Sequence, residues 1–510
     1  MRVLMLDRNF LVDRRITLMA QSLDKAGHEI RLVHTRIPEE FSDLSESRRR
    51  LPKTPDPMLH LALAEDGEDY NLSSEGLGSA PPHIIESRKG GYRDGRMRMR
   101  IGNDFRRKLR KARFGKLGMM AGFYSRYPDI AVDHVKDIKW LGPLRHLVAL
   151  PFKLLATPVY IRSALNKPKG IPSARIKGAR PLDAWEETVV RYAYEHWRPD
   201  VVCANDAVTL RAGVEIKKLL GIPLVYDAHE LYSYQPGIPH DEAKRLFMEE
   251  FNLMKHVDQL IVINSQQGAI MERDLDARNW IACTNATPWP DRFQITARYD
   301  WIRDETHIPE GHRIILFQGG INRERRIDYI LRGLAAARRK DIHIVFLTFG
   351  SEIPFFREMA QDLGIGDRVH FLDLVPWDEM LFWAASADAG IMPYQATDQN
   401  TAISSPNKMY EFIMAGTPMI GSSDLVNVSR VVEGEGFGVL ARFRNDADYT
   451  AAINEMFDER KGGPERFRPA LIANARKYSW ENESRAVMEM YAKLAERVAA
   501  GQTASGQAGQ

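Results

Sequence analysis

The sequence predicts an α/β protein of two doubly wound parallel sheets facing each other across a cleft. Three observations carry this. Short apolar strands alternate with segments of helical spacing. The alternation occurs twice, on either side of a stretch at 289–309 that reads as a linker. At 510 residues the chain is too long for one ordinary core.

Residues 2–6 read as a buried strand, and 13–26 as a helix with Ile16, Met19, Ala20 and Leu23 on one face. Gly27 stops the helix and 29–34 is the next strand, so the opening is a right-handed crossover unit. Asp7-Arg8-Asn9-Phe10 stand where a dinucleotide-binding turn would need glycines, and no dinucleotide site is expected there. The pattern breaks over 38–181, which reads as an insertion: 38–82 as a polar, proline-rich loop, 88–116 as a run dense in arginine and lysine. Residues 140–165 are apolar but interrupted by Arg145, Lys153 and Arg162 and by three prolines. The alternation resumes at 182 and closes a first domain over 1–300, for which six or so strands are expected. A second domain, 301–478, repeats the pattern from a strand at 313–318. A helix at 479–500 is expected to pack back on the first domain, with 501–510 as a disordered tail.

Composition narrows the classes. A hydrophobic fraction of 44% is that of a globular protein, and a net charge of +3 makes no case for nucleic acid. Cys203 and Cys283 lie far apart beside apolar runs and read as buried thiols in a reducing cytoplasm. The first residues turn polar too soon for a secretory leader, and no run reaches the roughly 18 apolar residues of a spanning helix. Paired cysteines and a His-Glu-x-x-His helix are absent from the sequence, so no metal is expected.

The most informative stretch is 404–422. A polar loop with Ser-Pro-Asn-Lys enters a short helix carrying Glu411, and Gly416 and Pro418 end it. The loop and helix N-terminus favour an anion, and Glu411 can accept from sugar hydroxyls one turn in. This segment resembles the donor site of family-4 glycosyltransferases, the retaining enzymes of the GT-B fold with two Rossmann-like domains. The resemblance covers 1–34 and 198–494 and leaves the insertion out.

Four places carry it. In the glycine-bearing segment at 317–326, Gly319 and Gly320 let the backbone approach a diphosphate. There the resemblance puts Arg325 where the family has its phosphate lysine; Gly320 replaces a common arginine, for which Arg323 is a substitute. In the second place Glu411 matches the ribose-binding glutamate of a pair, with Asn407 and Lys408 near the phosphates. The pair's first glutamate, which contacts the transferred sugar, would fall at Ile403 and is missing. The third, Tyr226-Asp227-Ala228-His229-Glu230, resembles the histidine-bearing strand end of the acceptor domain. His229, Glu230 and Asp227 are the catalytic candidates, His229 bonding sugar or acceptor and the carboxylates orienting it or acting as base. Asn205-Asp206 ends the preceding strand. In the fourth, Gly350 and Val375 lie at strand ends that resemble the nucleobase pocket.

The resemblance implies a metal-independent transferase of hexosyltransferase type with a nucleotide-diphosphate sugar as donor and no further cofactor. The basic run followed by the apolar one, over 88–165, suits an interfacial contact with an anionic membrane; a solvated loop over a helical hairpin is the other reading. Together they point to a lipid-linked saccharide acceptor in bacterial surface polysaccharide synthesis, at the cytoplasmic face of the membrane. A sugar-nucleotide epimerase of the same fold, or a non-catalytic nucleotide-sugar scaffold, are the alternatives.

Overall fold

Strands β1 (Arg2–Leu6), β4 (Val201–Asn205) and β5 (Leu224–Ala228) are apolar along most of their length because both faces of a parallel sheet are covered. A computed structural model describes residues 1–9, 12–35, 59–63, 179–235 and 237–507. With β2 (Glu29–Thr35), β3 (Leu59–Leu63), β6 (Gln259–Val262) and β7 (Trp280–Ala282), these strands form a seven-stranded sheet in the order β3-β2-β1-β4-β5-β6-β7. From β2 to β7 every pairing is parallel.

The second sheet holds β8 (Arg313–Gln318), β9 (Ile342–Leu347), β10 (Val369–Leu372), β11 (Ala389–Ile391), β12 (Met419–Ser422) and β13 (Gly438–Ala441). Its order is β10-β9-β8-β11-β12-β13, again parallel. Strand order therefore reverses between β1 and β4 in the first sheet and between β8 and β11 in the second. Crevices at such reversals, at the carboxyl ends of the strands, are where ligands bind in this architecture. Both sheets lie within one compact unit of the chain.

Three expectations need correction. Leu59–Leu63, read as part of a polar loop, is an edge strand of the first sheet. The stretch read as a linker is built into the second domain: Trp301 stacks on Phe382 at 4.8 Å, and Phe293 meets Phe382 edge-on at 5.4 Å. Aromatic area there is worth more buried than a free linker would be. The last helix runs Arg485–Gln507, well into the tail expected to be disordered. The membrane-contact expectation for 88–165 lies outside the described residues.

That terminal helix shares the first sheet's core. Val487, Met490, Tyr491 and Leu494 pack in one cluster with Met5, Met19, Cys203 and Cys283. The Trp480 indole donates to Ser22 Oγ at 2.9 Å. Both cysteines are free and buried, and burial pushes each thiol up to about 11. No helix among the described residues is long and apolar enough to cross a membrane.

Candidate active site at the two strand reversals

At the β8/β11 reversal the chain leaves β8 through Gly319, whose φ of +107° suits glycine. A Cβ at Gly319 would sit 3.6 Å from both Arg325 Nη1 and Lys408 Nζ. The bare glycine therefore faces two cations. Lys408 is buried; its ammonium donates to the Gln318 carbonyl and lies 4.6 Å from the Phe317 ring and 4.9 Å from the Tyr394 ring. Arg325 lies 5.7 Å from the Tyr394 ring. Burial alone would raise the Tyr394 phenol, but Lys408 and then Arg325 outweigh it and hold the phenol below its usual value.

The helix Asn407–Ala415 starts beside this cradle with Asn407 exposed and no side chain capping its first turn. Gly416 at φ +70° ends it, as the sequence suggested. Glu411, one turn in, is buried. Lys408, Arg325 and Gly319 thus come together, with Asn407 exposed at the start of the helix that carries Lys408. Arg323 does not join them: it pairs with Glu352 at 3.0 Å and covers Phe355 at 4.4 Å. Gly320 lies under the Phe349 ring, where a Cβ would meet Phe349 Cζ at 3.0 Å. Gly350, at φ +148°, passes so close to Ile321 that a Cβ would be 2.6 Å from its carbonyl oxygen. Val375 is half-buried against the second-domain core.

At the β1/β4 reversal the first domain gathers acids around one imidazole. His229 Nε2 lies 3.5 Å from Asp227 Oδ2 and Nδ1 lies 3.9 Å from Asp13 Oδ1. Its backbone N–H donates to Asp206 Oδ1 at 2.9 Å. Burial and then the Arg15 charge lower the His229 pKa, so the ring is neutral near pH 7 and able to bond a hydroxyl. Asp227 is buried against Arg15, which also donates to the Cys283 carbonyl at 3.1 Å. Glu230 is exposed and accepts from Gln235 and from Asn400 of the second domain. Asn205 donates to the Leu6 carbonyl at 2.9 Å and ties β4 to β1.

Asp7 sits at the end of β1, fully buried, with Oδ1 bonded to Asn9 and Oδ2 without a partner. Burial, opposed by the Asn9 amide, raises its carboxyl to about 7. Between about pH 4 and 7 the folded chain then holds a proton that the unfolded chain releases, so this group's contribution to stability falls as pH rises. Asp7→Asn carries no such proton. Urea unfolding should find it level with wild type near pH 4 and more stable above about pH 7, by up to about 4 kcal/mol. Equal stability at both pH values would contradict this.

The two reversals are joined directly. Arg14 Nη1 donates to Glu411 Oε1 at 2.6 Å. Asn264 donates to the Ile403 carbonyl at 2.7 Å and to Ser405 Oγ at 2.8 Å. Asn400 Oδ1 accepts from the Leu231 amide at 2.9 Å. The position where the family's first glutamate would fall is therefore a buried isoleucine, Ile403, whose backbone bridges the domains. Among the described residues no group of histidine, cysteine and carboxylates could hold a metal ion.

Residues 312–459 match the family model described as Glycosyl transferases group 1. The D-inositol 3-phosphate glycosyltransferase of Pseudarthrobacter chlorophenolicus is 23% identical over 351 residues, 66% of this chain and 81% of that one. An uncharacterized glycosyltransferase of Methanocaldococcus jannaschii is 20% identical over 307 residues, 57% of this chain and 75% of that one. Among solved structures, Anabaena HepE in complex with UDP and glucose superposes with a TM-score of 0.56 at 13% identity, covering 97% of this chain and 100% of that one. Sucrose-phosphate synthase from Thermosynechococcus elongatus gives 0.55 at 14% identity, covering 97% and 99%.

The chain has the GT-B fold.

Within this GT-B frame, sequence reasoning missed Asp7, Arg14, Arg15, Asn264 and Tyr394. Asp7 and Asn264 follow buried strands, so their place at strand ends was readable. Nothing local marks Arg14 or Arg15, because their partners lie hundreds of residues away.

Proposed function

We propose that the chain is a retaining, metal-independent glycosyltransferase of the family-4 type, moving a hexosyl group from a nucleotide-diphosphate sugar to a saccharide acceptor. One observation carries this most: Lys408 and Arg325 converge on the bare backbone of Gly319 at the β8/β11 reversal, beside an open helix N-terminus. Two cations and a helix dipole suit a diphosphate leaving group, and charge held ready there lowers the barrier to its departure. Glu411 would accept from the ribose, with Gly320, Gly350 and Val375 near the base.

On the acceptor side a neutral His229 would orient the incoming hydroxyl or the transferred sugar, with Asp227 and Glu230 as the carboxylates nearest to it. Anabaena HepE binds UDP and UDP-glucose, so UDP-glucose is the first donor to test. The acceptor we propose is a lipid-linked saccharide of a bacterial surface polysaccharide, met at the inner face of the cytoplasmic membrane. The basic and apolar run at 88–165 supports that class. The epimerase and scaffold readings are not favoured, since the curated relatives named above are glycosyltransferases.

Calorimetry with UDP-, GDP-, dTDP- and ADP-linked sugars tests the donor site. One donor class should bind wild type, and Glu411→Ala should weaken it about tenfold or more, the worth of a hydrogen bond to an ionised group. Binding of no donor class, or equal binding by the variant, would sink this reading.

A further inference from the structure

Three consecutive residues at the start of the first helix, Arg14–Lys25, reach three different partners. Asp13 caps the helix by accepting from the Arg15 amide at 2.7 Å, and the same oxygen lies 3.9 Å from His229 Nδ1. Arg15 points into the first sheet and holds Asp227, which faces the other nitrogen of His229. Arg14, between them, crosses to the second domain and bonds Glu411. Successive positions on a helix point about 100° apart, so one turn can serve both sites at once. Because Asp13 and Arg15 fix that turn, Arg14 has little freedom of direction.

We infer that Arg14 is a positioning residue of the donor site, supplied by the first domain to hold the Glu411 carboxylate of the second. Three features point to this rather than to a surface pair. Both side chains are nearly shielded, 14% and 8% exposed, so the pair is weakly screened. Arg14 is held from its other side, its Nη2 donating to the Asn285 carbonyl at 3.3 Å. The guanidinium takes only Oε1 of Glu411. Among the described residues no hydrogen bond reaches Oε2, so that oxygen is left to accept from a donor hydroxyl. A free glutamate would lose side-chain entropy on binding; one clamped by Arg14 is already in place.

The pair also joins the two halves of the cleft. A donor engaging Glu411 acts on Arg14, and through its neighbours on Asp13 and Arg15, the residues beside His229.

This inference rests on Glu411 serving the donor, and the test separates the two. UDP-glucose binding is measured by calorimetry, and turnover by steady-state kinetics, for wild type, Arg14→Ala, Arg14→Gln, Glu411→Gln and the Arg14→Ala/Glu411→Gln double variant, with thermal melts of each. Arg14→Ala should weaken UDP-glucose about tenfold, seen mainly as a raised donor KM. It should add less than about twofold in the Glu411→Gln background, because the clamp then has nothing to hold. Arg14→Gln, which keeps a donor, should recover part of the loss, and it carries the test if Arg14→Ala does not fold. Additive losses in the double variant, or a lowered Tm with unchanged affinity of the folded fraction, would overturn the inference and leave the donor reading intact. If wild type fails to bind UDP-glucose and every other donor class, both readings fall.

Discussion

Lys408→Met is expected to slow sugar transfer by about 10²–10³-fold, the usual cost of removing one preorganised group from a developing anion, without loss of stability. The two halves of this expectation have one cause. Lys408 is buried, its ammonium bonded to the Gln318 carbonyl and to the Tyr394 side chain and facing the Phe317 ring, and no carboxylate pairs with it among the described residues. A buried cation without a carboxylate partner is costly to the fold. It is repaid only when an anion arrives, which the proposed diphosphate does. Methionine keeps the length and the ring contacts and removes the charge. A melt at or above the wild-type Tm with a collapsed kcat/KM is the expected pair of results. A third readout is the Tyr394 phenol, now held down by Lys408 and Arg325 against burial; it should titrate higher in the variant, in an ultraviolet titration referenced to Tyr394→Phe. An unstable variant with normal turnover per folded molecule would show that Lys408 is structural instead.

Arg15→Met is expected to cost about 3–5 kcal/mol of stability, the usual penalty for stranding one member of a buried ion pair. That corresponds to a fall in Tm on the order of 10 °C. Arg15 is 2% exposed and Asp227 is fully buried, so water cannot replace the lost partner. Burial already pulls the Arg15 pKa down, a sign of how poorly the site solvates charge. The double variant Arg15→Met/Asp227→Asn should regain much of the loss, because the stranded charge is then gone. Activity should not return with stability, since Asp227 lies beside His229. Thermal melts and urea midpoints check the first part, and transfer assays the second. A single variant within about 1 kcal/mol of wild type would mean that the pair contributes little.

Buried lysine and buried arginine therefore play opposite parts here. Arg15 meets its counter-charge within the chain and supports the fold. Lys408 has no such carboxylate partner among the described residues, which is why we assign it to the proposed diphosphate.

Much of this was legible in the sequence, for reasons of period and stop signals. Val3, Leu4 and Met5, or Ile314, Ile315 and Leu316, are apolar without alternation because a parallel sheet buries both faces, so the order of strands and helices followed from local pattern. Gly416 ended its helix where a left-handed residue was expected. The helix carrying Lys408 and Glu411 was found the same way, and so was the glycine-bearing turn at Gly319. Three placements were not legible. Leu59–Leu63 alternates Leu-His-Leu-Ala-Leu but is an isolated edge strand inside a polar stretch, with no helix and strand pattern around it to mark it. Arg485–Gln507 outlasts its apolar face. Arg323 sits beside the Gly319 turn in sequence but closes on Glu352 instead.

The sequence by itself determined most of the elements, their class, and which residue types stand at the strand ends, because those depend on neighbours a few positions away. Only the tertiary structure decided which of them meet. Arg14 reaches Glu411 across 397 positions and Arg15 reaches Asp227 across 212. No local pattern encodes such a pairing, because it exists only once two sheets have fixed the directions of the helices they carry.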